Sequence, residues 1–446
     1  MNSYLIKNAL IVNEGKIIAG DLLIRNGRIE KIGGIIDRKE AIAEIDAVNQ
    51  WLLPGVIDDQ VHFREPGLTH KATIYSEARA AIAGGVTSFM EMPNTVPPAF
   101  THELLEAKYA IGKESSLANY SFYMGTSGNN LEEVLSTNYR KQDICGIKIF
   151  MGSSTGNLLV DDPLVLERIF EGSELLIATH CEEERMIKAN LAAIKERKAV
   201  LEPSDHPVIR DAAACFESSF KAIQLAKKHD ARLHILHITS AKELQLFGNM
   251  LPLKDKRITA EVCVHHLHFT ADDYARLGNQ IKCNPAIKLA ENKTALWEAL
   301  LDDRLDVIAT DHAPHTWEEK SGGYEQAHAG LPLIQHGLPL MLDYVAAGKI
   351  SIEKVVEKMC HSVATCFQIK DRGFIREGYF ADIILANSNE PFTVSRSNIL
   401  YKCGWSPFEG HRFGSKVTQT FVNGRLVYGK NGFDESVKGM RLQFNR

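Results

Sequence analysis

The sequence predicts an α/β protein: a (β/α)8 TIM barrel with a small β-sandwich domain built from both chain ends. Three observations predict it. Between residues 54 and 370, eight apolar strand-like runs alternate with helical patterns; both ends of the 446-residue chain are rich in short strands; and five of the central runs end in a ligand-type side chain. Eight buried strands with helices between them fit a closed barrel better than an open sheet.

The elements follow in order. Residues 1–53 contain YLIKNALIV, KIIAGDLLIRNG and RIEKIG, which alternate as strands do, and the Asn26-Gly27 pair marks a hairpin. Residues 54–372 form the barrel unit. Its strand candidates are GVIDDQVHF (55–63), VTSFMEM (86–92), YSFYMG (120–125), GIKIFM (146–151), LLIATH (175–180), LHILHI (233–238), ITAEVCVH (258–265) and DVIATD (306–311). Helical patterns such as THKATIYSEARAAIAGG lie between them, and helices over 352–367 close the ring. Residues 373–446 return to strands, DIILA and KVTQTFVNGRLVYG, with a second hairpin signal at Asn423-Gly424. The two ends therefore share one sheet domain.

Composition narrows the class. A 45% hydrophobic and 24% charged chain is ordinary for a globular protein. Its net charge of −5 supplies no basic field for nucleic acid or an anionic membrane surface. No apolar run is long enough to span a bilayer, and the N-terminus lacks a signal-peptide core. Eight scattered cysteines without a CxxC pair point to reduced thiols in the cytoplasm. The expected partner is a small-molecule substrate, and symmetry statistics make a homodimer the default assembly.

In a barrel of this kind the chemistry sits at the C-terminal strand ends. Those ends carry Gln60 and His62, Lys148, His180, His237 and Asp311. Strand alternation places Gln60 and His62 on one face and Asp59 on the other, and it sets His234 out of phase with His237, as a packing residue. Zn²⁺ accepts imidazole and carboxylate ligands and leaves a position open when it is catalytic. A cationic Lys148 suits that company only as a carbamate formed with CO2, an anion able to bridge two cations.

These residues carry a resemblance over nearly the whole chain. PGVIDDQVHFREPG, MPNT (92–95), GIKIF (146–150), ATHCE (178–182), HILHITS (234–240), EVCVHHL (261–267), CNPAIK (283–288) and ATDHAPH (309–315) resemble the amidohydrolase superfamily and, within it, the dihydroorotase family. The resemblance implies that His62 binds a first metal, that carbamylated Lys148 bridges, and that His180 and His237 bind a second. Asp311 would ligate the first metal and shuttle a proton, with one or two Zn²⁺ per chain. Arg64 and Asn94 would clamp the substrate carboxylate, His315 would add a contact to it, and Asn284 would touch the ring. The implied reaction is reversible cyclisation of N-carbamoyl-L-aspartate to (S)-dihydroorotate in de novo pyrimidine (UMP) biosynthesis. The rivals are another cyclic amidase (hydantoinase, dihydropyrimidinase or allantoinase) and a catalytically silent scaffold.

Two positions depart from the family. Gln60 stands where it has histidine, and a neutral amide oxygen is a weaker zinc donor, so the first metal site is expected to be weakened. GLPL (330–333) lacks a usual second glycine. The resemblance makes His265–His266 a positioning element, while the polar loop 316–329 with Gly322-Gly323 is expected to move over substrate.

Overall fold

The computed structural model describes residues 3–37, 42–152 and 158–446. The middle of the chain is a ring of parallel strands. Val56–Val61 pairs with Val86–Glu91, and that strand pairs with Asn119–Phe122. The third strand continues past Tyr123 into Met124–Gly125, which opens a second run through Ile147–Phe150, Ile177–His180, Leu233–Ile235, Ile258–Cys263 and Val307–Ala309. Both seams are sealed. Tyr123 N–H donates to Glu91 O at 3.1 Å, and His62 N–H donates to His312 O at 2.7 Å beside a Val61–His312 bridge. The barrel predicted from eight apolar runs is therefore present.

Its strands stop short of the predicted ends for a physical reason. Arg64, His237 and Asp311 have φ of 69°, 41° and 48°, a left-handed backbone that cannot continue a ladder. Non-glycine residues adopt it only when their surroundings enforce it, and such enforced conformations cluster at functional sites. The predicted tail of the seventh strand coils instead into a short helix, Val264–His268.

The helices are set by their caps and apolar faces. Ile74–Ala83 starts from a Thr73–Ser76 capping box and buries Ala78, Ala81 and Ile82. Ala212–His229 starts where the Asp211 carboxylate accepts from Ala214 N–H and stops at left-handed Asp230. Ser362–Phe367 closes the barrel floor, packing Val363 and Phe367 against Ile57, Met90, Tyr123, Ala178, Leu236 and Val307.

Among the described residues, both chain ends meet in a nine-stranded sheet. Gln50–Pro54 pairs antiparallel with Ile383–Asn387, joining N- and C-terminal halves through backbone hydrogen bonds. The halves share a core of Ile6, Ile11, Leu22, Leu52, Ile383 and Phe421. The two predicted hairpin turns have positive φ at both central residues, 52° and 81° at Asn26-Gly27 and 50° and 73° at Asn423-Gly424. That is the geometry for which Asn-Gly is chosen.

Two expectations from strand parity fail. Alternation puts Asp59 on the face away from Gln60 and makes His234 a packing residue. Both instead point into the barrel, where Asp59 Oδ2 lies 3.2 Å from His234 Nε2, each side chain fully buried. For Asp59 the cause is a register irregularity in the first strand between Asp58 and Val61; for His234, the sixth strand ends at Ile235 and His237 stands beyond it in left-handed backbone, so no two-residue period links the two histidines.

Candidate active site

One cavity of about 210 Å³ opens at the C-terminal mouth of the barrel. Gln60, His62, Arg64, Asn94, Lys148, His180, His237, Asn284 and Asp311 all line it, so eight of the nine residues singled out for the site, and Gln60, converge there. The ninth, His315, is not on the lining. It stands behind Arg64, with Nε2 3.0 Å from the Arg64 Nη2.

The imidazoles are arranged as electron-pair donors. His62 Nδ1 is 2.7 Å from Asn94 Oδ1, so the proton sits on Nδ1 and the Nε2 lone pair faces Asp311 Oδ1 at 3.2 Å. His180 Nε2 lies 3.1 Å from the Glu182 carboxylate, and its Nδ1 lies 3.0 Å from His237 Nε2. His237 Nδ1 is buried with no hydrogen-bond partner among the described residues. Burial lowers the pKa of all three rings, His237 most strongly, where the neighbouring His180 and Lys148 add to the effect. Each of these approaches can be bridged by one proton, or by a metal cation that both atoms ligate. The donor set thus fits a divalent metal, of a type that nitrogen and oxygen ligands suit.

Lys148 is fully buried on the fourth strand, its Nζ 4.6 Å from the centre of the Phe150 ring. Burial pushes its ammonium down to about 7, against the attraction of Asp311 and Glu261. A substantial neutral fraction near neutral pH is what an amine needs to capture CO2.

Arg64 is the other unusual charge. It is 4% exposed, and among the described residues no carboxylate lies within ion-pair distance of its guanidinium. Its Nε donates to Pro314 O at 3.1 Å and Nη2 contacts His315, which fixes the plane and leaves the Nη1–Nη2 end of the fork for a ligand. Burial lowers it to about 10, against the attraction of Asp311 and Glu91. A buried cation without a counter-ion is costly, and it marks a place where an anion binds. Asn284 Oδ1 is likewise buried, unpartnered and on the lining.

Sequence reasoning passed over Glu182 and Arg210. Arg210 lines the cavity and ion-pairs with Glu182, whose carboxylate lies 3.1 Å from His180 Nε2. Glu182 was visible inside ATHCE, but Arg210 lies in the turn between helices His206–Ile209 and Ala212–His229, where no periodicity marks it. The loop 316–329 is held by its own contacts in this structure. It contains a capped helix, Trp317–Ser321, and the buried Lys320 ties it down by donating to Lys282 O, His328 O and Gly330 O. Lys282 donates in turn to Tyr324 O and Ala327 O. Ala329 and Gly330 form part of the cavity wall, so the segment ends at the mouth. His265 and His266 lie side by side off the lining, 3.9 Å between ring centres, with Cys263 close by.

Lone-pair donors gathered at the mouth of a parallel barrel define a metal-dependent hydrolase. The chain belongs to the amidohydrolase family, whose pattern matches residues 51–427. Its curated relatives there include dihydroorotases. That of Pyrococcus furiosus is 31% identical over 438 residues, covering 97% of this chain and 96% of the relative. That of Carboxydothermus hydrogenoformans is 32% identical over 427 residues, covering 94% and 96%. Among solved structures, the L-hydantoinase (dihydropyrimidinase) from Arthrobacter aurescens superposes with a TM-score of 0.90 at 26% identity, covering 99% of this chain and 98% of that one. The dihydropyrimidinase from Brevibacillus agri reaches 0.88 at 23% identity with full coverage of both, a likeness of fold.

Proposed function

We propose that the protein is a dihydroorotase, catalysing reversible cyclisation of N-carbamoyl-L-aspartate to (S)-dihydroorotate as a cytoplasmic step of pyrimidine synthesis. The observation that carries this reading is Arg64, a buried guanidinium with no carboxylate partner, facing the same cavity as the imidazoles. Dihydroorotate brings a ring carboxylate to that fork; hydantoin, dihydrouracil and allantoin do not. The sequence relatives point the same way, while the hydantoinase structures share the architecture.

In this reading His62, His180, His237, Asp311 and carbamylated Lys148 hold one or two Zn²⁺. When bound, the metal supplies an acidified water and a Lewis acid for the amide carbonyl. The Nη1–Nη2 end of Arg64 grips the carboxylate end-on, with Asn94 beside it, so the ring is held in one orientation before reaction. His315 acts through Arg64, fixing the plane of its guanidinium. Asn284 offers its unpartnered oxygen to a ring N–H. Asp311 takes the proton of the attacking water and returns it to the departing ring nitrogen. Residues 54–372 carry this chemistry, and 1–53 with 373–446 form the supporting sheet. All eight cysteines are free, in keeping with a reducing compartment, and a homodimer is the assembly we carry forward.

The test is turnover of dihydroorotate, hydantoin, dihydrouracil and allantoin by zinc-loaded protein, with a chelated control. Dihydroorotate is expected to be opened fastest and only with metal. Faster opening of hydantoin or dihydrouracil would move the assignment to the cyclic amidases of the structural neighbours. Zinc-loaded protein inert to all four would favour the silent scaffold.

Gln60 lines the cavity, and its Oε1 accepts a long hydrogen bond from the Cys263 thiol at 3.7 Å. Gln60→His should therefore raise zinc retained after dialysis against a weak chelator, because an imidazole nitrogen replaces a poor donor. Zinc content and rate both equal to those of the unmutated chain would place position 60 outside the metal site.

A further inference from the structure

One group of ionisable side chains inside the barrel has no part in the reaction just described. Beneath the catalytic mouth, Asp59 of the first strand, His234 of the sixth and Glu261 of the seventh point at one another, all three with no exposed surface. The distances are 3.2 Å from His234 Nε2 to Asp59 Oδ2 and 3.6 Å to Glu261 Oε2. Both Asp59 oxygens, His234 Nε2 and Glu261 Oε2 are buried without a hydrogen-bond partner.

From this convergence we propose that Asp59, His234 and Glu261 bind a zinc ion inside the barrel, separate from the metal of the catalytic mouth. The spacing favours a cation over a simple ion pair. Charge-assisted hydrogen bonds draw nitrogen and oxygen to about 2.7–2.9 Å. Ligands about 2.0–2.1 Å from a tetrahedral zinc lie about 3.4 Å apart, and the observed pair of distances brackets that value.

The outer contacts leave the converging atoms free for it. His234 Nδ1 is 2.7 Å from Thr259 Oγ1, which accounts for that nitrogen and directs Nε2 inward. Glu261 uses its other oxygen, Oε1, to accept from His237 N–H at 3.1 Å and from the Cys263 thiol at 3.3 Å. Below, the His234 ring packs 5.5 Å from Phe367, centre to centre, so the cluster rests on the apolar floor and is shielded from water.

Position gives the site a role. Asp59 precedes His62 by three residues and His234 precedes His237 by three, so an ion here would tie together strands that each present a side chain to the catalytic mouth. It would be a structural ion for the floor of that mouth.

Crystals of the unmutated protein grown with zinc should show an anomalous peak, at the zinc edge, among Asp59, His234 and Glu261. A map with a peak at His180 and His237 but none in the interior cluster would overturn the proposal. Elemental analysis gives an independent count. Asp59→Asn and Glu261→Gln, both near-isosteric, should each lose about one zinc per chain, while the double variant His180→Asn/His237→Asn keeps that zinc. Unchanged zinc in both Asp59→Asn and Glu261→Gln would mean the cluster is held by protons alone.

Discussion

Asp311→Asn is expected to leave a folded protein whose kcat for dihydroorotate opening is lower by roughly 10²–10⁴-fold, the range that a positioned acid–base group supplies. Asparagine is the informative replacement because of the backbone. Asp311 has φ of 48°, and asparagine and aspartate are the non-glycine residues that tolerate this region best. Alanine would add backbone strain to the loss of the carboxylate. The amide also keeps an oxygen near His62 Nε2, now 3.2 Å from Oδ1, so packing at the mouth is retained. The measurements are kcat, thermal melting and bound zinc on one preparation. Lost turnover with zinc retained assigns Asp311 the proton; lost turnover with lost zinc assigns it the metal. Turnover within tenfold of the unmutated enzyme would remove it from the mechanism.

The sequence made the barrel legible because each strand is an apolar run bounded by turn signals, and burial on both faces demands that pattern. The mouth was legible because its side chains follow those runs directly: His62 after the first, His180 and His237 at or near the ends of the fifth and sixth. What escaped has a shared cause. The two-residue period misplaces Asp59 because of the irregularity between Asp58 and Val61, and misplaces His234 because His237 lies past the strand end in left-handed backbone. Loop 316–329 was read by its polarity, yet Lys320 is buried there to satisfy three backbone carbonyls, a role that composition does not encode. Arg210 reaches the cavity from a turn whose path depends on two helices packing. Periodicity reports which face is buried; it does not report where the backbone departs from regularity.

Arg64→Ala should raise KM for dihydroorotate about 100-fold, with a smaller change in kcat, since two charge-assisted hydrogen bonds lost from a buried site cost ~3 kcal/mol. The decisive comparison is with dihydrouracil, the same ring without its carboxylate, used as an inhibitor. If Arg64 reads the carboxylate, the substitution weakens dihydroorotate and leaves dihydrouracil nearly unchanged, and the affinity gap between them collapses. Arg64→Lys should fall between, because an ammonium keeps the charge but not the planar fork that Pro314 O and His315 hold in place. Equal weakening of both ligands would give Arg64 a structural role at the mouth, and an unchanged KM would remove the clamp altogether. The comparison also isolates what separates this chain from its structural neighbours. The metal ligands suit any cyclic amide; a buried guanidinium with no carboxylate within ion-pair distance among the described residues favours a substrate that brings one.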